Sequence, residues 1–240
     1  TIFPKIFSAK GGSASGGDSY GYFNNSIIKR AQRNKKIKIN IVDLRKFSTD
    51  KHKKVDDKPY GGGPGMVFKT EPLAKAIGSI LKIKNQKSKL KNKIKIILFS
   101  ASGKQFDAKM AIDFAQKYDR IVMIAGHYEG VDERIFKVLS AIGHKPEAIS
   151  IGPYVLTGGE LPSMIIVDAV ARHILGVLGK NESLEEKRFG IGIPVYTRPE
   201  IFVYPPPGRG KHSKKYKVPK VLLSGNHKKI DDWKREHRKR

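Results

Sequence analysis

The sequence predicts an α/β domain with a largely parallel sheet, followed by a small C-terminal helical module. Three observations lead there. Strand-length apolar runs alternate with stretches of helical periodicity between residues 36 and 175, the order that parallel strands with crossover helices require. Distinctive segments at 100–103, 126–130 and 151–159 fall at or near the carboxyl ends of those strands, where open α/β sheets hold ligands. After Gly179 the character changes: residues 180–199 carry no long periodic run and contain Gly190, Gly192, Pro194 and Pro199.

Taken in order, the chain opens on an apolar stretch at 3–7, then a low-complexity loop at 11–19 (Gly-Gly-Ser-Ala-Ser-Gly-Gly-Asp-Ser) whose composition implies flexibility. A helix is expected near 26–32. Residues 36–44 alternate and then turn apolar, as an inner strand does. Residues 46–66 are polar, charged and finally Gly-rich. Leu73, Ala76, Ile77, Ile80 and Leu81 give 72–83 helical spacing, and the basic stretch 82–93 reads as a surface loop or a frayed helix end. Strands follow at 94–100, 120–125 and 147–156, and helices at 106–117 and 132–140. Thr157-Gly-Gly-Glu160 opens a long apolar helix through Leu175. The segment 204–217, with Pro-Pro-Pro-Gly and a basic cluster, reads as a loop, and 220–240 ends in a basic helix-like run with Trp233. The domain reading is a core at 1–175, a linker at 176–217 and a small C-terminal module at 218–240.

The 240 residues are 39% hydrophobic, enough for a sizeable core, yet the formal net charge is +26. A protein this basic attracts polyanions by releasing their counterions, which puts nucleic acid first among partners. Lys is scattered through every segment, so a solvated basic surface is the competing explanation. Absence of Cys excludes disulfides, thiolate metal sites and Cys nucleophiles. No apolar run approaches the roughly 20 residues that span a bilayer, and the opening Thr1-Ile2-Phe3-Pro4 lacks the pattern of a signal peptide. A cytoplasmic protein without membrane partners is the expectation.

Familiar catalytic signatures are missing. Gly61–65 is not a P-loop, because no Gly-Lys-Ser/Thr follows, and Met66 occupies the last glycine position of a dinucleotide fingerprint. On glycine count alone a tight structural turn outranks a binding loop there. His52, His127, His144, His173, His212, His227 and His237 lie far apart in sequence and read as surface or core residues, with no metal site among them. Glu129 and Glu160 sit inside Gly-rich turns. Glu129 is either a turn residue pairing with Arg134 or part of a site. Glu160 is either a helix N-terminal charge favoured by the macrodipole or a site residue. Arg172 lies in an apolar stretch four residues after Asp168, so an ion pair and a substrate-facing role both stand. Asp56 and Asp57 could hold Mg²⁺, although adjacent acidic residues in a basic loop are more often solvated or capping.

Tyr60-Gly-Gly-Gly-Pro-Gly-Met66, Gly126-His-Tyr-Glu-Gly-Val-Asp-Glu-Arg134, Ser150-Ile-Gly-Pro-Tyr-Val-Leu-Thr-Gly-Gly-Glu-Leu-Pro162, Tyr196-Thr-Arg-Pro199 and Val221-Leu-Leu-Ser-Gly-Asn-His227, in this order and spacing, resemble the TrmD-type tRNA (guanine-N1)-methyltransferases of the SPOUT superfamily. The resemblance runs from Phe3 to Trp233. It implies an α/β domain with a deep trefoil knot, an exception to the rule that chains do not knot. It also implies that the knot loops hold S-adenosylmethionine, through Leu98, Phe99, Ser100, Ala101, Gly126, Tyr128, Glu129, Ile151, Gly152, Pro153, Tyr154, Val155, Leu156, Gly158, Gly159 and Pro162. A cofactor without phosphates fits the absence of a phosphate cradle.

The resemblance further implies a homodimer whose active sites form between the cofactor loops of one subunit and the linker and C-terminal module of the other. The implied substrate is the guanosine immediately 3′ of the tRNA anticodon, methylated at N1. That reaction needs a base for the N1 proton and a cation for charge on O6. Arg172 matches the family's catalytic Arg. The chain departs from the family at Lys187, where the proposed base is usually Asp, so the expectation passes to Glu185 or Glu186. It departs again at Pro153, where Asp is common. The insertion at 11–19 and the basic segment 204–216 are further differences. Two other readings share the resemblance: a SPOUT methyltransferase with another RNA target, and a tRNA-binding member that has lost its base.

Overall fold

The computed structural model describes residues 1–7, 9–10, 19–82, 93–179, 184, 192–205 and 213–238. The first elements are β1 (Ala9–Lys10), β2 (Ser19–Tyr20), α1 (Ser26–Arg33), β3 (Asp56–Asp57), β4 (Val67–Phe68) and α2 (Thr70–Lys82). The central ones are β5 (Ile94–Gln105), α3 (Ala108–Lys117), β6 (Arg120–Ile124), α4 (Arg134–Ala141), β7 (Glu147–Ser150) and α5 (Glu160–Ala171). Last come β8 (Ile201–Tyr204), β9 (Lys214–Lys217), α6 (Lys220–Leu223) and α7 (His227–Glu236). Two compact units contain them, Thr1–Gly179 and Lys180–Arg240.

In the first unit β5 pairs in parallel with β6 on one side and β7 on the other. Side chains alternate across a strand, and both faces of β5 are apolar. Ile96 and Leu98 pack with Val122 and Ile124 against α2 and α4, through Leu73, Ile77, Ile135 and Leu139. Ile97 and Ile149 face the other way, onto Met110, Phe114, Ile166 and Val170 of α3 and α5. The result is a three-layer α/β/α arrangement. A third cluster joins Phe7, Phe23 and Ile28 to Ala171 and Val177, which ties the end of α5 to the first residues of the chain. Asp107 caps α3 by accepting from the Met110 amide at 2.7 Å, a contact worth about 1 kcal/mol.

Three expectations need correction. Residues 36–44 form no strand. Ile37 and Ile39 pack on the third cluster, so their alternation records one-sided burial of an extended segment without a partner strand. The strand expected at 147–156 stops at Ser150. There the Ser150 hydroxyl donates to the Gly152 carbonyl at 2.8 Å and accepts from the Gly152 amide at 3.2 Å, turning the chain. The loop expected at 204–217 contains β9, which pairs antiparallel with β8. The segment 11–18 and most of the basic stretch 82–93 lie outside the described residues.

Candidate active site at the sheet edge

The register of the central sheet creates the site. Phe99 and Lys104 both stand opposite Ile149, so residues 100–103 bulge out of the ladder at the carboxyl edge of the sheet. Two more loops leave the same edge, 125–133 after β6 and 151–159 after β7. Together they enclose a cleft of about 410 Å³, lined by 98–102, 126–131, 148–151 and 154–159, with Glu133, Phe136 and Pro162. That volume lies within the range of sites for drug-sized ligands.

Backbone contacts fix these loops to one another. The Gly159 amide donates to the Gly126 carbonyl at 2.9 Å, and His127 bridges Gly158. A Cβ on Gly159 would lie 2.5 Å from Ala125 Cα, and one on Gly158 would lie 2.3 Å from the His127 ring, so only glycine allows this approach. Tyr128 adopts a left-handed backbone (φ 56°), a conformation that costs about 1 kcal/mol or more for a residue with a Cβ. Two hydrogen bonds hold it there: the Glu129 amide donates to Met66 O at 3.1 Å, and the Gly130 amide to His127 O at 3.0 Å. The Gly-rich segment therefore braces the cleft loop. Gly65 (φ 84°) lies against the Glu129 side chain, where a Cβ would meet Oε1 at 2.6 Å. Tyr60, by contrast, is 99% exposed.

The charged groups divide into a buried pair and an exposed one. Glu160 is 3% exposed, and a buried carboxylate must find partners. Its Oε2 faces His127 Nε2 at 2.6 Å, and its Oε1 accepts from the Thr1 hydroxyl. The Phe3 ring packs edge-on against His127 at 4.7 Å. At the loop's far end Arg134 forks onto Asp132, with Nη2 at 2.6 Å and Nε at 2.9 Å. This guanidinium holds the Asp132 carboxyl down at about 2. Arg134 thus pairs with Asp132 in place of Glu129.

All of the expected cofactor residues except Gly152 and Pro153 line the cleft. The turn at Ser150 diverts those two, and the Tyr154 ring covers Gly152, where a Cβ would fall 2.2 Å from the ring. Sequence reasoning missed His127 as a lining residue and missed its bond to Glu160. A His and a Glu beside glycine turns were visible, but their pairing across 33 residues depends on the crossing of two loops. Arg172 caps the C-terminal end of α5 and does not line the cleft. The helix has 12 residues, so about 18 Å of rise separates its two ends. Glu185 and Glu186 lie outside the described residues.

At the metal candidate, Asp57 is paired with Lys69 at 3.0 Å, and no group of three or more potential ligands gathers among the described residues. Nor, among them, is any helix long and apolar enough to cross a membrane.

Comparison with known proteins finds relatives along nearly the whole chain. A protein of Carboxydothermus hydrogenoformans named tRNA (guanine-N(1)-)-methyltransferase is 44% identical over 98% of this chain and 79% of its own length. Proteins of the same name from Alkaliphilus oremlandii and Clostridioides difficile are 42% and 41% identical, each over 98% of this chain and over 84% and 89% of their own lengths. The family model described as tRNA (Guanine-1)-methyltransferase TrmD matches residues 18–240. With the cleft loops carrying the resembling motifs and the match running across both units, the chain belongs to the TrmD family of tRNA (guanine-N1)-methyltransferases.

Proposed function

We propose that this protein methylates N1 of the guanosine immediately 3′ of the tRNA anticodon, with S-adenosylmethionine as the donor. The observation that carries the reading is the 410 Å³ cleft in a chain of this family. Its lining suits a purine nucleoside: Leu98, Ile149, Val155 and Leu156 offer apolar surface, and backbone-rich turns at 126–130 and 157–159 offer amides and carbonyls. Leu98–Ala101, Gly126, Tyr128, Glu129, Ile151, Tyr154–Leu156, Gly158, Gly159 and Pro162 are the residues that would hold the cofactor. When bound, it supplies an electrophilic methyl group on a sulfonium sulfur. The trefoil knot that the family implies belongs to this reading, and the 126–130 and 157–159 loops that would form it are hydrogen-bonded to each other.

Proton removal falls to Glu185 or Glu186, and the Arg172 guanidinium offsets charge on O6. Both roles call for a dimer. Arg172 stands about 15 Å along α5 from Pro162, the last residue of its own chain's cleft, at about 1.5 Å of rise per residue, so it serves the partner's cleft. What supports this is the helix surface: Leu161 and Ile165 are exposed apolar residues, and helical spacing puts Arg172 on the same stripe.

The test is transfer of labelled methyl to tRNA transcripts carrying guanosine or adenosine beside the anticodon, with mass mapping of the product. Methylated guanosine N1 and an inert adenosine transcript are expected; a methylated ribose would transfer the protein to another SPOUT target. Glu185→Gln with Glu186→Gln should abolish turnover and leave cofactor titration unchanged, and full activity would refute the base assignment. Arg172→Ala should lower kcat on the order of 10²–10³-fold. Mixing it with a cleft-blocked Gly159→Val chain should restore activity, because the hybrid dimer has one complete site. No restoration, with dimers formed, would place Arg172 on its own chain's cleft.

A further inference from the structure

The β8–β9 ribbon has a feature that methyl transfer does not use. Its register places Phe202 opposite Tyr216 and Tyr204 opposite Lys214, and directly opposed residues share a face of an antiparallel pair. All four side chains therefore project from one side. The Phe202 and Tyr204 rings lie nearly parallel, 16° apart in plane with centroids at 6.3 Å, and Lys214 Nζ sits 5.8 Å from the Tyr216 ring centre. Phe202, Tyr204 and Tyr216 are 54%, 59% and 50% exposed. Three neighbouring aromatic rings left in solvent are unusual unless something binds them.

The surrounding charge selects the occupant. From residue 192 to 226 the only carboxylate is Glu200, against Arg198, Arg209, Lys211, Lys214, Lys215, Lys217 and Lys220. Flat rings interleaved with cations match unpaired nucleotides, whose base faces stack on aromatic side chains while Lys meets the phosphates. A paired stem hides its base faces and offers no such fit. We infer that the Phe202–Tyr204–Tyr216 face is a stacking platform for unpaired nucleotides of the tRNA substrate, with Lys214 on the same face meeting a phosphate. The choice of tRNA rests on the functional reading above; the stacking chemistry does not.

The experiment uses the full chain with Phe202→Leu, Tyr204→Leu and Tyr216→Leu combined, which removes the π faces but keeps apolar bulk on the strands. With a tRNA transcript, Kd and KM should rise at least tenfold, given that a base stack is commonly worth about that factor or more. Cofactor affinity, kcat at saturating tRNA and oligomeric state should hold. The slope of log Kd against log salt should also hold, whereas Lys214→Gln should flatten it by about 0.7–0.9 for the phosphate it no longer neutralises. A fully paired RNA stem should bind wild type and the leucine variant alike. Unchanged tRNA affinity in a folded leucine variant overturns the proposal, and so does a shift in oligomeric state that accounts for the weaker binding. Wild-type protein that methylates guanosine N1 beside an unaffected variant sinks the platform alone; a wild type that binds tRNA through these rings without methylating it sinks the functional reading alone.

Discussion

The two units of this chain are built on opposite terms. Thr1–Gly179 has three buried apolar clusters on and around a parallel sheet. In Lys180–Arg240 one hydrophobic residue among those described, Leu184, is buried, while Ile201, Phe202, Tyr204, Tyr216 and Leu223 are exposed. A unit of roughly 60 residues rarely builds a large core alone. This one relies on local devices: Asn226 caps α7 by accepting from the Lys229 amide at 3.1 Å, and Trp233 stacks on His237 at 4.2 Å and against Tyr196 at 6.3 Å. The difference teaches that order and function are distributed separately. The first unit supplies a rigid cleft from its own burial, and the second presents apolar and cationic groups outward.

The strongest way to break that contrast is to cut into each unit in turn. Ile149 is 0% exposed, at the crossing of β7 with the bulge of β5. Ile149→Ala should destabilise the first unit by about 2–5 kcal/mol, seen as a lowered urea midpoint and weaker cofactor binding. Trp233→Ala should leave the main unfolding transition and cofactor titration in place and raise the KM for tRNA. Equal shifts in the main transition from both substitutions would show that the units unfold as one body, against the comparison. A second cut, Gly159→Ala, is aimed at the cleft itself. Its methyl group would sit 2.5 Å from Ala125 Cα, backbone that cannot swing away, so a loss of about 1–3 kcal/mol is expected. Cofactor affinity, read by calorimetry, should fall more steeply than stability does, because the loops must part to admit the methyl group.

Much of the first unit was legible because its periodicity is driven by its own burial. The helix expected at 72–83 appears as Thr70–Lys82, and the strands at 94–100 and 120–125 appear as Ile94–Gln105 and Arg120–Ile124. The motif-bearing turns do come together at one sheet edge. What sequence could not give was partnership. The alternating segment at 36–44 has the pattern of a strand but no neighbour, and β9, Lys-Lys-Tyr-Lys, has no buried position to create a pattern. The His127–Glu160 pair depends on a loop crossing, and local propensity holds no record of one. Arg172 was readable as a chemical type, whereas its distance from the cleft needed the helix in place.

The smallest expected effect concerns Asp132 and Arg134, and it tests whether charge contributes to the rigidity of the first unit. The Arg134 fork, aided by the Arg134 amide, holds the Asp132 carboxyl at about 2. A carboxyl whose folded pKa is depressed adds stability above its unfolded value, near 3.9, and loses it as pH falls toward the folded one. The window is therefore about pH 4 down to about 2. The Arg134 side chain is 71% exposed, so solvent screens the pair and its net contribution is small. Carboxyl-carbon NMR titration should find Asp132 ionised until near pH 2, and Arg134→Ala should return it toward the ordinary value. Unfolding midpoints of the two proteins should then differ slightly at about pH 5 and converge as the pH falls toward about 2. A large difference at neutral pH would mean that the 126–134 loop is held by this ion pair, and the account of a cleft made rigid by apolar burial and glycine-to-backbone contacts would have to give way to an electrostatic one.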